Sequence, residues 1–462
     1  MSRILPSDDA TNPLLRTARV GPVAAADETC NVPTGAHSNG HVEASLVKWN
    51  EPRINTWRVL ATFFSFIIVG ANDGTYGALV HYLGEYYSID YAILSLVFLS
   101  PCIGYTVAAL GNSWLHAHFG QRGVALLGSG CHLLAYVSSA LHPPYPVLVL
   151  IFVLAGLGNG LLDAAWNVWI GGMADSSRLM GFLHGFYGLG AALAPLTATS
   201  LISRHGQPWY RYYYFMAAGA FLELLALTAT FWSARGSVGN TLDHAPEHGD
   251  GDGEGIRHRQ RRGGVRDSAL IQSVRNPATW IICLFIFIYS GVEIAVAGWI
   301  FEFLVDQRGT SSLQAGVVNF LYWAGLTLGR VILGFLTNYL RAEKSTVMGY
   351  LLACVACHSV FSLVHGSFAV SVTTVTLLGF FLGPLFPESV IALVHLLPKE
   401  LHIAGIGIAV TLGSAGGCVF PFIIGALANV AGIGVLPLVI FVMLVSCSFL
   451  WFLSAVVLKR RY

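Results

Sequence analysis

The 462-residue chain is predicted to be an all-α membrane protein, with about twelve transmembrane helices in two pseudo-symmetric six-helix bundles. Three observations lead there. Hydrophobic residues make up 55% of the sequence and charged residues 11%, less than half of the roughly 25% charge usual in soluble domains. Apolar runs of about 20 residues, the length that crosses a bilayer, recur about twelve times. Glycine and proline spacings in the first six runs return, in order, in the last six.

Residues 1–56 are rich in Pro, Ala, Asp, Asn and Thr without periodicity and read as a disordered cytoplasmic tail. Six runs near 57–83, 91–113, 123–141, 146–172, 180–202 and 209–233 form an N-terminal bundle over residues 57–233. The polar stretch 234–276, with "DHAPEHGDGDGEGIRHRQRRGG", reads as a flexible cytoplasmic linker. Runs near 278–304, 313–340, 347–365, 368–395, 401–429 and 433–457 form a C-terminal bundle over 277–458, and 459–462 are a short cytoplasmic C-terminus.

Basic residues set the orientation. With both termini in the cytoplasm, Lys48, Arg53, Arg122, Arg178, Arg341, Lys344, Lys399, Lys459 and the linker arginines fall inside, against Arg204, Arg211 and Arg308 outside. "WYRYYYF" (Trp209 to Phe215) reads as an interfacial aromatic belt.

The net charge of +1 says nothing useful about partners, and no basic stripe suggests a nucleic-acid partner. Seven of the eight cysteines fall in apolar runs, where they act as small hydrophobes. "CVAC" followed by His358 reads as helix packing rather than a metal site. The first residues lack the apolar core of a signal peptide. No P-loop, HExxH or nucleophile elbow is present, so neither an enzyme nor an ATP-driven pump is expected, and no cofactor or metal.

The repeat is read from several matches. Aligning Gly156 in "GLGNGLLDAAWNVW" with Gly379 in "GFFLGPLFPESVIA" also pairs Gly160 with Gly383. Gly190 precedes Pro195 in the fifth run at the spacing by which Gly416 precedes Pro421 in the eleventh. Together with "LHGFYGLGAALAP", "YSGVEIAVAGWI" and "GSAGGCVFPFIIGAL", these segments resemble the major facilitator superfamily over about residues 55–458, and within it the fucose–proton symporter-like branch, especially its fungal members. The superfamily's loop signature is partly kept: Asn338 stands where an acid is usual, and Ala117 and His118 lie near the Asp-Arg positions of the first copy.

Candidate site residues follow from polarity inside apolar runs. Asn159, Asp163 and Asn167 are spaced i, i+4, i+8, so they share one helix face over about 12 Å. Such a stripe cannot face lipid. It is either the wall of a central substrate cavity, with Asp163 a proton carrier, or an interhelical hydrogen-bond clamp; the cavity is preferred. The resemblance implies an acid in proton coupling at the position matching Asp163, with the Asn a turn later matching Asn167.

Asn72 and Asp73 stand side by side in the first run, where an ionised carboxylate costs at least a few kcal/mol. They are read as cavity residues tolerated because they meet water, with Tyr76 adding a hydroxyl, against a structural pair tied to neighbouring backbone. The resemblance places its acid nearer Gly77. Glu293, opposite Asp73 in the repeat, is a second coupling candidate, since a desolvated carboxyl can exchange a proton near neutral pH; proton coupling is read through Asp163, with Asp73 or Glu293 assisting. Trp299 is a possible ring platform for a solute, and Trp166, Tyr187, Tyr322 and Trp323 are weaker ones. Glu302 is expected near the outer surface and solvated. Glu223 and Glu388 are expected to be structural or solvated, and Arg330 to pair with an acid or carbonyls. His184 is weighed as a gate against a packing residue. Gly190, Pro195, Gly383, Pro384, Pro387, Gly416 and Pro421 supply flexible sites or static kinks.

The function read from the sequence is secondary active transport of a small solute by alternating access, coupled to protons, with a sugar-like solute favoured. Efflux of a fungal secondary metabolite and a non-transporting membrane sensor are the alternatives. A monomer in the lipid bilayer is expected, in the plasma membrane by preference over a vacuolar or other internal one.

Overall fold

The structure is a computed structural model that describes residues 47–234, 272, 275, 277–340, 343–398 and 401–459. Most of the expected tail and linker, Arg341, Lys399 and the last three residues lie outside the described residues, as does the side chain of Asn338.

Among the described residues, eleven helices are long and apolar enough to cross a membrane. The longest, Tyr91–Ala140, has 50 residues, about 75 Å at 1.5 Å per residue and more than twice the ~30 Å hydrocarbon core. Gly120 leaves the helical region inside it (φ 64°, ψ −163°), a conformation that glycine alone adopts readily. Its two limbs are the second and third spans, which makes twelve crossings. The first span is Ile54–Tyr87, the fourth Tyr145–Gly171, the fifth Ser176–Thr199 and the sixth Tyr212–Phe231. The seventh to ninth are Pro277–Arg308, Ser312–Leu340 and Glu343–Leu363. The tenth is broken into Phe368–Leu382 and Leu385–Leu396, and the eleventh and twelfth are His402–Ala431 and Leu436–Lys459.

Arg58 at the start of the first span donates to the Thr230 carbonyl (3.0 Å) and Ser233 (3.1 Å) at the end of the sixth. Trp451 near the end of the twelfth donates to Lys344 O (3.0 Å) at the start of the ninth. These ends share one side, the terminal face; the opposite side is the far face.

Close approaches repeat between the halves. A Cβ on Gly156 of the fourth span would stand 2.3 Å from Pro101 O of the second, and one on Gly379 of the tenth 2.3 Å from Tyr322 O of the eighth. A Cβ on Gly190 of the fifth span would stand 2.1 Å from Ile67 O of the first, and one on Gly416 of the eleventh 1.9 Å from Phe287 O of the seventh. Only a missing side chain lets these backbones touch, as at small-residue contacts between membrane helices generally. Ile67 and Phe287 also have the same separation in sequence as Asp73 and Glu293, so those acids hold equivalent places in the two halves.

Candidate functional site

The first span brings Asn72 and Asp73 to the same region as Tyr76 because positions four and three apart lie on one helix face. Asn72 is buried, and its Nδ2 donates to Asp73 Oδ1 (3.2 Å) and the Tyr76 hydroxyl (3.1 Å). Asp73 gathers three more donors from three other spans. Asn159 Nδ2 of the fourth lies at 2.8 Å, Tyr187 OH of the fifth at 3.0 Å and Tyr105 OH of the second at 3.4 Å. The cost of this carboxylate is therefore offset mainly by side-chain donors rather than by neighbouring backbone. Gly77 has Ala297 O only 2.0 Å from where a Cβ would stand. No acid fits there in this conformation, and Asp73 stands one turn earlier.

Behind Asn159 the polar chain continues away from Asp73. Asn159 Oδ1 faces His132 Nε2 (2.8 Å), His132 Nδ1 faces Glu223 Oε2 (2.9 Å), and Ser65 Oγ donates to Glu223 Oε1 (2.6 Å). All four side chains are fully covered. Glu223 is thus structural but not solvated. His132, Tyr105 and Ser65 escaped the sequence reading. The signal available was an intramembrane acid needing a partner, met by an imidazole in a neighbouring apolar run.

The fourth-span stripe does not act as one unit. Asn159 turns to Asp73 and His132, whereas Asp163 receives the Asn167 Nδ2 at 2.9 Å from its own helix. Asn167 Oδ1 in turn faces His184 Nε2 of the fifth span (3.1 Å). Asp73, Asp163, Asn167, His184 and Tyr187 all keep partial exposure between the helices.

In the C-terminal half, Glu293 Oε2 accepts from Tyr289 OH (2.5 Å), one turn back, and Oε1 from Arg330 Nη2 (3.2 Å) of the eighth span. Arg330 Nε also donates to Gly383 O (3.2 Å). That carbonyl is free because Pro387, four residues on, has no N–H to give it. The break at Gly383–Pro384 therefore makes an arginine anchor as well as a bend. Tyr187 lies within electrostatic range of both Glu293 and Arg330.

Toward the far face the halves meet. Glu302 is 6% exposed; it receives Tyr91 OH (2.9 Å), and its other oxygen faces His81 Nδ1 (2.9 Å). The expectation of a solvated Glu302 is corrected: the seam between the halves covers it. Trp299 also sits in this seam, fully covered, with its N–H donated to Pro421 O (2.8 Å). A solute platform is not available there in this conformation. Tyr76 is similarly enclosed, edge-on to Phe152 at 5.3 Å. Gly190 and Gly416 are contact points between spans, and Pro195 lies within a continuous helix. Among the described residues, no group of three or more His, Cys, Asp or Glu is arranged to hold a metal ion.

Residues 62–359 match the profile of the Major Facilitator Superfamily, well over half of the chain. The chain belongs to the Major Facilitator Superfamily. Its fold agrees: the crystal structure of a D-xylose-proton symporter superposes with a TM-score of 0.69 at 15% identity, covering 86% of this chain and 97% of that one. In sequence, "Bypass of stop codon protein 6" of Saccharomyces cerevisiae is 29% identical over 417 residues, 85% of this chain and 81% of the yeast protein. The glucose/mannose transporter GlcP of Bacillus subtilis is 22% identical over 285 residues, 61% of this chain and 65% of GlcP. This superfamily member is therefore a multi-pass membrane transporter and not an enzyme, and sugar transporters are among its relatives.

Proposed function

We propose that the chain is a proton-coupled secondary transporter that moves a sugar-like solute by alternating access, with Asp73 as the principal proton carrier and Asp163 as the second. The observation that carries this reading is the company Asp73 keeps: amides and phenols from four spans rather than a guanidinium. A carboxyl held by neutral donors can gain and lose a proton without stranding a buried counter-charge, whereas breaking a buried ion pair is costly. Glu293, tied to Arg330, is better suited to holding the C-terminal half together than to carrying the proton.

Asp163, Asn167 and Tyr187, which keep partial exposure, offer the donors and acceptors that bind hydroxyl groups. The names of the xylose-proton symporter and GlcP, and the fucose–proton symporter-like segments of the sequence, support a sugar. The far-face seam through Glu302 would be the external gate, with the terminal face and its basic residues in the cytoplasm. Gly383, Pro384 and Pro387 supply the main bend, with His184 at the cytoplasmic mouth.

The test is internal pH in proteoliposomes containing the full chain, recorded as D-xylose, D-glucose, L-fucose or an amphipathic metabolite is added. A sugar that drives proton entry with wild type and not with Asp73→Asn supports the reading. Proton movement with amphipathic compounds alone replaces it with efflux. Unchanged coupling in Asp73→Asn and gain of the defect in Asp163→Asn moves the carrier to the fourth span.

A further inference from the structure

We infer that His132 and Glu223 form a one-proton dyad that governs the charge on Asp73 through the side chain of Asn159. The inference rests on the reading of Asp73 as a proton carrier and adds two residues to it.

The bonding directions follow from what each group can do. An ionised Asp73 only accepts, so Asn159 must turn its NH2 toward it, at 2.8 Å. That leaves Asn159 Oδ1, an acceptor, against His132 Nε2, at 2.8 Å. Nε2 therefore carries a hydrogen. On the other side of the ring, Nδ1 and Glu223 Oε2 stand 2.9 Å apart with no exposure to water. A hydrogen bond there needs one proton. Two would leave an unpaired buried cation, and none would set two lone pairs against each other beside a buried anion. With one proton the dyad is neutral overall, whether that proton lies on the ring or on the carboxyl. Ser65 donates to the remaining Glu223 oxygen at 2.6 Å and favours the carboxylate form.

An amide does not pass protons along this path, but it transmits polarisation. An imidazolium at Nε2 draws on the Asn159 carbonyl and strengthens the N–H that Asn159 gives Asp73. The dyad thereby stabilises the Asp73 anion while adding no net charge. When Asp73 is protonated that benefit disappears, and the dyad proton can move to Glu223.

Other groups face these residues and set the background. Tyr136 stacks on His132 with centroids 5.5 Å apart. Tyr105 and Tyr187 donate to Asp73, and Asp163 and Cys418 lie within its electrostatic range. None of them joins Asp73 to His132; Asn159 does.

The test is an infrared pH titration of the full chain in lipid, following the C=O stretch of protonated carboxyls, so that the hydrogen ion itself is the probe. The band lost in Asp73→Asn identifies Asp73. In His132→Gln and in the near-isosteric Glu223→Gln, the midpoint of that band is expected to move to higher pH by about one unit, the scale of a hydrogen bond to a charged group. In Asn159→Leu, adding Glu223→Gln is expected to leave the band where it was. A merely structural dyad leaves the Asp73 midpoint of a folded Glu223→Gln protein unchanged, and that result overturns the dyad alone. If Asp73→Asn removes no titrating band, the proton-carrier reading fails first and the dyad with it.

Discussion

Asp73 and Glu293 hold equivalent places in the two halves, yet their surroundings differ in kind. In the N-terminal half, four spans converge on Asp73 with an amide or hydroxyl each, and Asn159 links it to a covered imidazole–carboxyl pair. In the C-terminal half the acid is matched by a cation: Glu293 bonds Arg330, and Arg330 bonds a carbonyl freed by Pro387. At the repeat position of Asn159 stands Leu382, which offers only its backbone carbonyl, to Tyr289 (3.1 Å). One backbone plan thus carries an acid held by neutral donors and an acid held by a cation. The helix contacts are shared by both halves, so the difference lies in a few side chains.

The largest effect should come from breaking the side held by neutral donors. Asp73→Asn is expected to abolish solute-driven proton entry while exchange of unlabelled for labelled sugar across the membrane persists, read in the same proteoliposomes. Loss of both would mean that Asp73 is needed for binding rather than coupling. On the side held by a cation, Arg330→Met should leave Glu293 without its partner and destabilise the protein by about 3 kcal/mol, the low end of the range for a broken buried pair. Thermal unfolding in detergent measures it. The double variant Glu293→Met with Arg330→Met should recover most of that loss, and no recovery would remove the ion pair as the reason.

The shared plan can be tested separately from the two sites. Gly190→Ala and Gly416→Ala place a methyl against Ile67 O and Phe287 O respectively. Each should destabilise by about 2 kcal/mol, the cost of overpacking, and by similar amounts if the halves are packed alike. A large inequality would show that the repeat is not energetic. The smallest effect is expected at the seam. Glu302→Gln weakens its contacts with His81 and Tyr91 and should raise the population open at the far face by about tenfold, roughly the worth of one hydrogen bond to a charged group. Ser95 is fully covered and packs with Trp299 against Gly425, so labelling of a cysteine introduced there reads that opening, and an unchanged rate would show that packing alone closes the seam.

Much of the site could be read in advance as residue types, and little of it as pairs. Asp73, Asn72 and Asn159 stood out because polar groups in apolar runs need partners. The stripe Asn159, Asp163, Asn167 was also visible, but its division was not: helical periodicity places three residues on one face without saying which neighbour each one meets. Glu302 was misplaced for a related reason. It was expected near the outer surface and solvated, while the contact with His81, 221 residues away in sequence, covers it. Trp299 looked like a ring for a solute until the seam enclosed it.

By itself the sequence determined the number and order of the crossings, the repeat and the glycine contacts that echo it. These depend on local quantities: the length of an apolar run, and the absence of a side chain where backbones must touch. It also determined that acids lie inside the membrane. The tertiary structure alone decided their partners, because His132 meets Glu223 across 91 residues and Asn159 meets Asp73 across 86. A hydrogen bond a few ångströms long depends on which helices pack and on how each is rotated. Those rotations are set by all the spans together, so whether a buried carboxyl meets a guanidinium or an amide emerges only when the bundle is assembled.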